Sequence, residues 1–333
     1  MTVQHVDIQD PEDVGQRIDN FLLRTLKGVP RQYVYRILRR GEVRVNGGRI
    51  KASYRMKLHD TVRIPPTRSR QDLPVEYSAD IEETLKASVI FEDADFLVLN
   101  KPAGIAVHGG SSIRSGVVEI LRDVYANPRL ELVHRLDRDT SGCLALAKKR
   151  SALQVAQAAF RERRVKKIYE LYVHGHWPQS NRVVQLKLER YETAWGERRV
   201  RVSAAGAQAR TDFEVLERAG DRATRLQATL HTGRTHQIRV HTSASGHGIM
   251  GDDKYAAAQP EHQQPENTCN GVGRMENIPR LCLHARKLTI PLGADALRVV
   301  APVEASMAQF WASCVADDVP AQGPEKPRGG NQR

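Results

Sequence analysis

His134-Arg135-Leu136-Asp137-Arg138-Asp139-Thr140-Ser141-Gly142 is a polar run set between the apolar stretches Leu132-Val133 and Leu144-Ala145-Leu146. So many ionisable side chains in succession are poorly suited to a core, so the flanking residues predict a loop held between two buried elements. Small Ser141 and Gly142 permit a tight turn, and Asp137 can project into a cleft. A plain surface loop, with its aspartates capping a turn or paired to the adjacent arginines, is the competing reading of the same residues.

Outward from that run the pattern is strand and helix by turns. On its C-terminal side, Leu144 to Ala147 reads as a short strand. Leu153, Ala156, Ala159 and Phe160 then recur at helical spacing, with Ser151 as the expected cap. Ile168 to Val173 returns as a strand, and Phe213 with Val215 and Leu226 with Ala228 continue the alternation. On the N-terminal side, Val89-Ile90-Phe91 and Phe96 to Leu99 predict paired strands about a turn at 92–95. The body is therefore α+β, with a central mixed, mostly antiparallel sheet. Residues 256–279, rich in Gln, Asn, Pro and Gly, read as a surface loop, and 316–333 as a disordered tail.

Residues 1–70 have a different character. They carry fifteen Lys and Arg against seven Asp and Glu, two thirds of the net charge of +12 in a fifth of the chain. Ile18, Phe21, Leu22 and Leu26, then Val34, Ile37 and Leu38, mark two short amphipathic helices. Gly41 stands where a helix stops, Val43 and Val45 alternate as in a strand, and Asn46-Gly47 is a turn signal before Val62-Arg63-Ile64. Arg31, Arg36, Arg39, Arg40, Arg44 and Arg49 crowd the second helix and the following turn. A solvated face usually mixes both signs, whereas this one is nearly all basic, which suits nucleic-acid phosphates. Pro65, Pro66 and Pro74 suggest a semi-rigid linker. The expected division is 15–66 for the basic module, 67–87 for the linker and 88–315 for the main domain.

A pI near 9.7 points to a polyanionic partner. No apolar run approaches the roughly 18 residues that a spanning helix requires. The acidic N-terminus, with Asp7, Asp10, Glu12 and Asp13, does not read as a signal peptide. A cytoplasmic protein is the expectation, and a monomer. Cys143, Cys269, Cys282 and Cys314 are far apart without a CxxC pair, which indicates neither a disulfide framework nor a zinc ribbon.

The nine-residue run matches the HRLDxxTSG signature of the large-ribosomal-subunit pseudouridine synthases, and the chain resembles that family over about residues 15–310. Lys166-Lys167-Ile168-Tyr169 and Thr232-Gly233-Arg234-Thr235-His236-Gln237-Ile238-Arg239-Val240-His241 also match. Residues Gly15 to Asp19 and Gly41 to Gly47 look like the αL RNA-binding motif. The resemblance implies the pseudouridine synthase fold, no cofactor, and ribosomal RNA as partner. It also implies that Asp137 is the catalytic aspartate, that Tyr169 packs on the target base, that Arg239 pairs with Asp137, and that Arg135 fills the gap left by a flipped nucleotide. Asp139 falls at a variable signature position and takes no such role. Gly248 departs from the pattern, which commonly has proline after Gly246-His247.

The chemistry suits these residue types. Exchanging the C1′–N1 bond of uridine for C1′–C5 requires a detached base that never escapes, which an aromatic wall such as Tyr169 supplies. A carboxylate starts the bond breaking, and a guanidinium keeps it charged and oriented. These residues are compatible with addition of Asp137 to the base, addition to the sugar, or removal of a sugar proton. A stacked base cannot react, so it must be extruded at a cost of a few kcal/mol.

Rival readings are weaker. His231, His236 and His241, five apart, share neither one helix face nor one strand face, and no acidic triad accompanies them, so no metal site is expected. Asp139-Thr140-Ser141-Gly142 lacks the Gly directly after Thr or Ser, and the second copy, that an aspartic protease needs. The glycines near 233–251 do not form a phosphate-binding strand-loop-helix pattern. The alternative from another class is a non-catalytic ribosome-assembly factor of the same fold.

Overall fold

The computed structural model describes residues 3–26, 29, 31–66, 77–109, 115–255 and 277–316. The expected loop at 256–279 and tail at 316–333 lie almost wholly outside the described residues, as do Cys269 and most of the proline-rich stretch. The chain forms two compact units, the first Met1–Leu97, Ala106–His134 and Ala145–Ala158, the second Val98–Ile105, Arg135–Leu144 and Ala159–Arg333.

In the first unit, β1 (Gln4–Asp7), α1 (Ile18–Thr25), α2 (Arg31–Arg40), β2 (Arg44–Val45), β3 (Gly48–Arg49) and β4 (Thr61–Ile64) build a small module with strand order β1-β4-β2-β3. The helical periodicity is borne out, since Ile18, Phe21, Leu22, Leu26, Val34, Ile37 and Leu38 are all buried with Val43, Val45, Val62 and Ile64. Each such side chain contributes about 1.5–3 kcal/mol. Gly41 (φ +68°) ends α2, and Asn46-Gly47 (φ +50° and +77°) turns β2 into β3, a left-handed pair that suits these two residues.

Helix α3 (Ala79–Ala87) occupies half of the stretch expected to be linker. Its cause is local: the Ser78 hydroxyl caps the Ile81 amide, Asp80 and Glu82 sit in the first turn, and Leu85 is fully buried. Strand β5 (Val89–Glu92) neighbours β6 (Phe96–Lys101), as the sequence suggests. Then come α4 (Val117–Val124), β7 (Glu131–Leu132), β8 (Ser141–Ala147) and α5 (Arg150–Arg161). Helix α5 is not capped by Ser151. Its first amides, Arg150 and Ser151, donate to the Glu12 carboxylate at 2.8 and 3.2 Å, and the Ser151 hydroxyl joins them at 3.1 Å. A carboxylate at a helix N-terminus satisfies orphan amides and meets the favourable end of the helix dipole.

The second unit is built on β9 (Lys166–His174), β10 (Val183–Glu192), β11 (Arg198–Val202), β12 (Ala207–Ala219), β13 (Ala223–Leu230), α6 (Gln237–Ala244), β14 (Leu283–Leu292), β15 (Asp295–Val300) and α7 (Ala305–Ala316). Its sheet runs β11-β10-β12-β13-β9-β14-β8, with β15 on β14. The pairings are antiparallel except β14 with β8, so the sheet is mixed and mostly antiparallel as expected. Phe213 stands opposite Ala228 and Val215 opposite Leu226. Strand β9 is central and buried on both faces over Glu170 to Val173. Tyr172 meets Trp311 of α7 at 4.9 Å between ring centroids. Side chains alternate along a strand, so Tyr169 points to the opposite face from the one that α7 covers.

Candidate active site

Asp137 and, among the described residues, the His236, Tyr169 and Arg239 side chains that interact with it lie in the second unit. Asp137 is in the loop 135–140 that enters β8, partly buried, with its carbonyl accepting from the Thr140 amide at 3.2 Å. Ser141 and Gly142 are not in a turn, as the sequence suggests, but begin β8. Gly142 adopts φ +107°, and a Cβ there would stand 2.4 Å from the Ala285 carbonyl oxygen. The glycine is required because β8 and β14 approach backbone to backbone in a parallel pair, Ser141 opposite His284 and Gly142 opposite Ala285. Beneath the loop the Ser141 hydroxyl bonds His284 Nδ1 at 2.8 Å and accepts from Arg280, which also pairs with Glu304 at 2.8 Å.

A fully buried lysine holds the same loop from the other side. Lys101 Nζ donates to the carbonyls of Pro102, Ile105 and Arg138 at 2.6, 2.8 and 2.9 Å, and the Gly104 amide also donates to Arg138. Burial pushes this ammonium down to about 8, against the pull of Asp139, Glu304 and Asp137. The sequence reading missed Lys101. Its signal was a charged residue closing the apolar run Phe96 to Leu99, directly before Pro102.

Tyr169 reaches the site from β9. Burial, then the negative charge of Asp137, push its phenol well above the usual range, so it stays protonated at neutral pH. His236, at φ +51° in front of α6, places Nε2 3.8 Å from an Asp137 carboxylate oxygen. Burial lowers its pKa against the pull of Asp137, so the ring is neutral. Its tautomer follows from its neighbours. The Val200 amide donates to the Tyr255 hydroxyl at 3.1 Å, that hydroxyl donates to His236 Nδ1 at 2.7 Å, and the remaining N–H is on Nε2, facing Asp137.

Arg239 does not pair with Asp137 as expected. It forms a bidentate pair with Asp252, both contacts 2.7 Å, with side chains 3% and 1% exposed. Asp252 also accepts from the Lys254 and Tyr255 amides, so its geometry is set by its own turn and the guanidinium comes to it. Burial opposes the charge on Arg239, but the Asp252 hydrogen bonds and the charges of Asp252 and Asp137 outweigh it and raise its pKa. Arg239 is thus a fixed positive charge behind Asp137, lying over the Tyr255 ring at 5.1 Å. Gln237 secures the preceding loop, accepting from the Thr232 hydroxyl and the Arg234 amide and donating to the Arg210 carbonyl and Thr211.

The remaining expected residues are placed as follows. Arg135 is exposed at the start of the Asp137 loop. In the first unit Arg31 opens α2, Arg36 lies 4.6 Å over the Tyr33 ring, and Arg39 and Arg40 are exposed. Arg44 and Arg49 bond the carbonyls of Gly41, Gly47 and Arg40, covering the C-terminal end of α2. The three histidines do not converge: His231 pairs with Asp212 at 2.7 Å, His241 is buried in α6, and no metal-binding group of His, Cys, Asp and Glu occurs among the described residues. Cys143 and Cys282 are buried free thiols, and Cys314 is buried in α7. At Gly248, the carbonyl accepts from His174 and the next residue, Ile249, bridges to Val173.

Comparison with known proteins identifies the family of the chain. The RNA pseudouridylate synthase profile matches residues 95–244, and the S4 domain profile residues 16–62. The chain is 46% identical over 301 residues to the ribosomal large subunit pseudouridine synthase C of Pasteurella multocida, covering 89% of each chain. It belongs to the RNA pseudouridylate synthase family. The Haemophilus influenzae protein of the same name is 45% identical over 311 residues, with 92% of this chain and 93% of that one covered. Human RNA pseudouridylate synthase domain containing 1 has a similar structure at 28% identity and a TM-score of 0.51, covering 69% of this chain and 94% of that one. Human RNA pseudouridylate synthase domain containing 4 shares the fold at 24% identity and a TM-score of 0.56, over 71% and 96%. Among the described residues no helix is long and apolar enough to cross a membrane.

Proposed function

We propose that the chain isomerises particular uridines of large-subunit ribosomal RNA to pseudouridine, without a cofactor, as a cytoplasmic monomer. Asp137 is the essential carboxylate, Tyr169 the wall that retains the detached uracil, and Arg239 a positioning charge. Arg135 fills the space of the flipped nucleotide. The basic module at 15–66 anchors the RNA through Arg31, Arg36, Arg39, Arg40, Arg44 and Arg49, and residues 88–315 carry the chemistry.

The observation that carries this reading is the setting of Asp137. His236 Nε2 lies 3.8 Å from its carboxylate, and the charge of Asp137 acts on both the protonated Tyr169 phenol and the buried Arg239 guanidinium. Preorganised donors and a fixed charge stabilise negative charge as it develops or moves, without reorganisation during reaction. The names of the bacterial relatives support large-subunit RNA as the substrate. The test is release of tritium from 5-tritiated uridine in a large-subunit RNA transcript, with wild type against Asp137→Asn. Release by wild type alone is expected. Tight binding with no release from several such RNAs would favour the assembly-factor reading.

A further inference from the structure

The end of α5, the start of β9 and the segment before α6 enclose a cavity of about 220 Å³, lined chiefly by Phe160, Arg161, Arg163, Lys167, Gly233 and Arg234. It shares Arg163 with a wider cleft of about 630 Å³ that adds Arg164, Lys166 and Arg210. Among the described residues, no carboxylate lines either one. Two acids adjoin these arginines, and both are already held: Glu162 by Arg164 at 2.7 Å, and Asp212 by Arg210 at 3.0 Å and His231 at 2.7 Å.

Lys167 is the centre of the smaller cavity. Its ammonium lies 6.0 Å over the Phe160 ring, and among the described residues no carboxylate pairs with it. A half-buried cation with no counter-charge is costly, and burial accordingly lowers its pKa. Gly233 leaves room beside it, since even a Cβ there would stand 3.5 Å from Nζ. Side-chain alternation puts Lys167 on the same face of β9 as Tyr169, about 6.6–6.8 Å along the strand. Gly233 and Arg234 lead directly into His236, which faces Asp137.

We infer that this cavity binds a backbone phosphate of the RNA immediately flanking the uridine in the active site, with Lys167 as its central contact and Arg161, Arg163 and Arg234 at its rim. The inference rests on the function proposed above and specifies how the RNA strand is held there. A compact ammonium is a point-charge phosphate ligand, and the arginines supply forked donors for the outer oxygens. The contact is indifferent to sequence, so it sets the register of the strand and leaves the choice of base to other groups.

The test is the salt dependence of equilibrium binding to a labelled large-subunit RNA fragment between about 50 and 200 mM salt. It compares wild type, Lys167→Gln, Lys167→Arg and the double variant Arg161→Gln/Arg163→Gln, with melting temperatures for each. Lys167→Gln should weaken binding at low salt by about tenfold. It should also reduce the slope of log K against log salt by about 0.7, the share of one phosphate on a single strand. Lys167→Arg should restore most of the slope. The double variant alters exposed side chains and decides the matter if Lys167→Gln melts early. Wild-type slopes in both Lys167→Gln and the double variant would overturn the site. Binding needs no turnover, so a wild type that binds with the full slope but releases no tritium would sink the reaction and leave this site standing.

Discussion

Asp252→Asn tests the arrangement behind the catalytic aspartate. The substitution keeps the shape of the side chain and removes its charge, leaving Arg239, 3% exposed, without its bidentate partner. Asp252 accepts four hydrogen bonds, two from Arg239 and one each from the Lys254 and Tyr255 amides. The asparagine oxygen can still serve the two amides, so the loss falls on the ion pair. Removing one partner of a buried pair costs about 3–5 kcal/mol. Each kcal/mol shifts the melting temperature of a body of this size by about 2–4 °C, so a fall on the order of 6–20 °C is expected by calorimetry. Asp137→Asn should leave the melting temperature near wild type, because Asp137 holds no guanidinium. Adding Arg239→Met to Asp252→Asn should recover several kcal/mol of stability, since the orphaned charge is gone, while activity stays lost. A melting temperature within about 2 °C of wild type for Asp252→Asn would refute the reasoning. Strictly additive losses in the double variant would do the same.

Lys101→Met should lower tritium release and flatten its alkaline pH dependence. With its folded-state pKa lowered to about 8, Lys101 gives up a proton that the unfolded chain keeps up to about pH 10.4, so this group's contribution to stability rises with pH across that window while the Asp137 loop loses a donor. Wild-type activity should therefore fall as pH passes about 8; an identical fall in the Met variant would assign it to another group. Gly142→Ala should destabilise by about 2–5 kcal/mol, through the clash with the Ala285 backbone and the left-handed φ, and a melting temperature unchanged by calorimetry would contradict the close strand approach. Arg36→Gln/Arg39→Gln/Arg40→Gln should reduce the salt slope of RNA binding by about 0.7 for each phosphate no longer neutralised, without a large change in melting temperature; an unchanged slope would remove these arginines from the RNA interface. Arg135→Ala should lower turnover more than initial RNA binding in single-turnover and equilibrium assays, and equal losses in both would speak against a flipping role.

Local rules were enough to locate most elements. The 3.6-residue spacing of Ile18, Phe21, Leu22 and Leu26 and the alternation of Phe213 with Val215 reflect one-sided burial, which any short segment records in its own residues. The Asn46-Gly47 turn was legible for the same reason, because its backbone angles are a property of those two residues. The signature around Asp137 was legible as a motif, and it pointed to the right family.

What the chain alone determined was therefore its α+β class, its basic N-terminal module, and the residue types available for chemistry. Tertiary structure decided which of them meet. A guanidinium pairs with whichever carboxylate the fold brings within reach, and for Arg239 that is Asp252 in the turn after α6, not Asp137. The cap of α5 came from Glu12, far away in sequence, and the role of Gly142 came from Ala285 on a neighbouring strand. Lys101 ties its own turn to the distant Arg138 carbonyl, and Tyr255 and His236 acquire their parts through partners distant along the chain. Charge pairing and close packing act through space, with strengths set by burial, and no spacing rule within a segment encodes them.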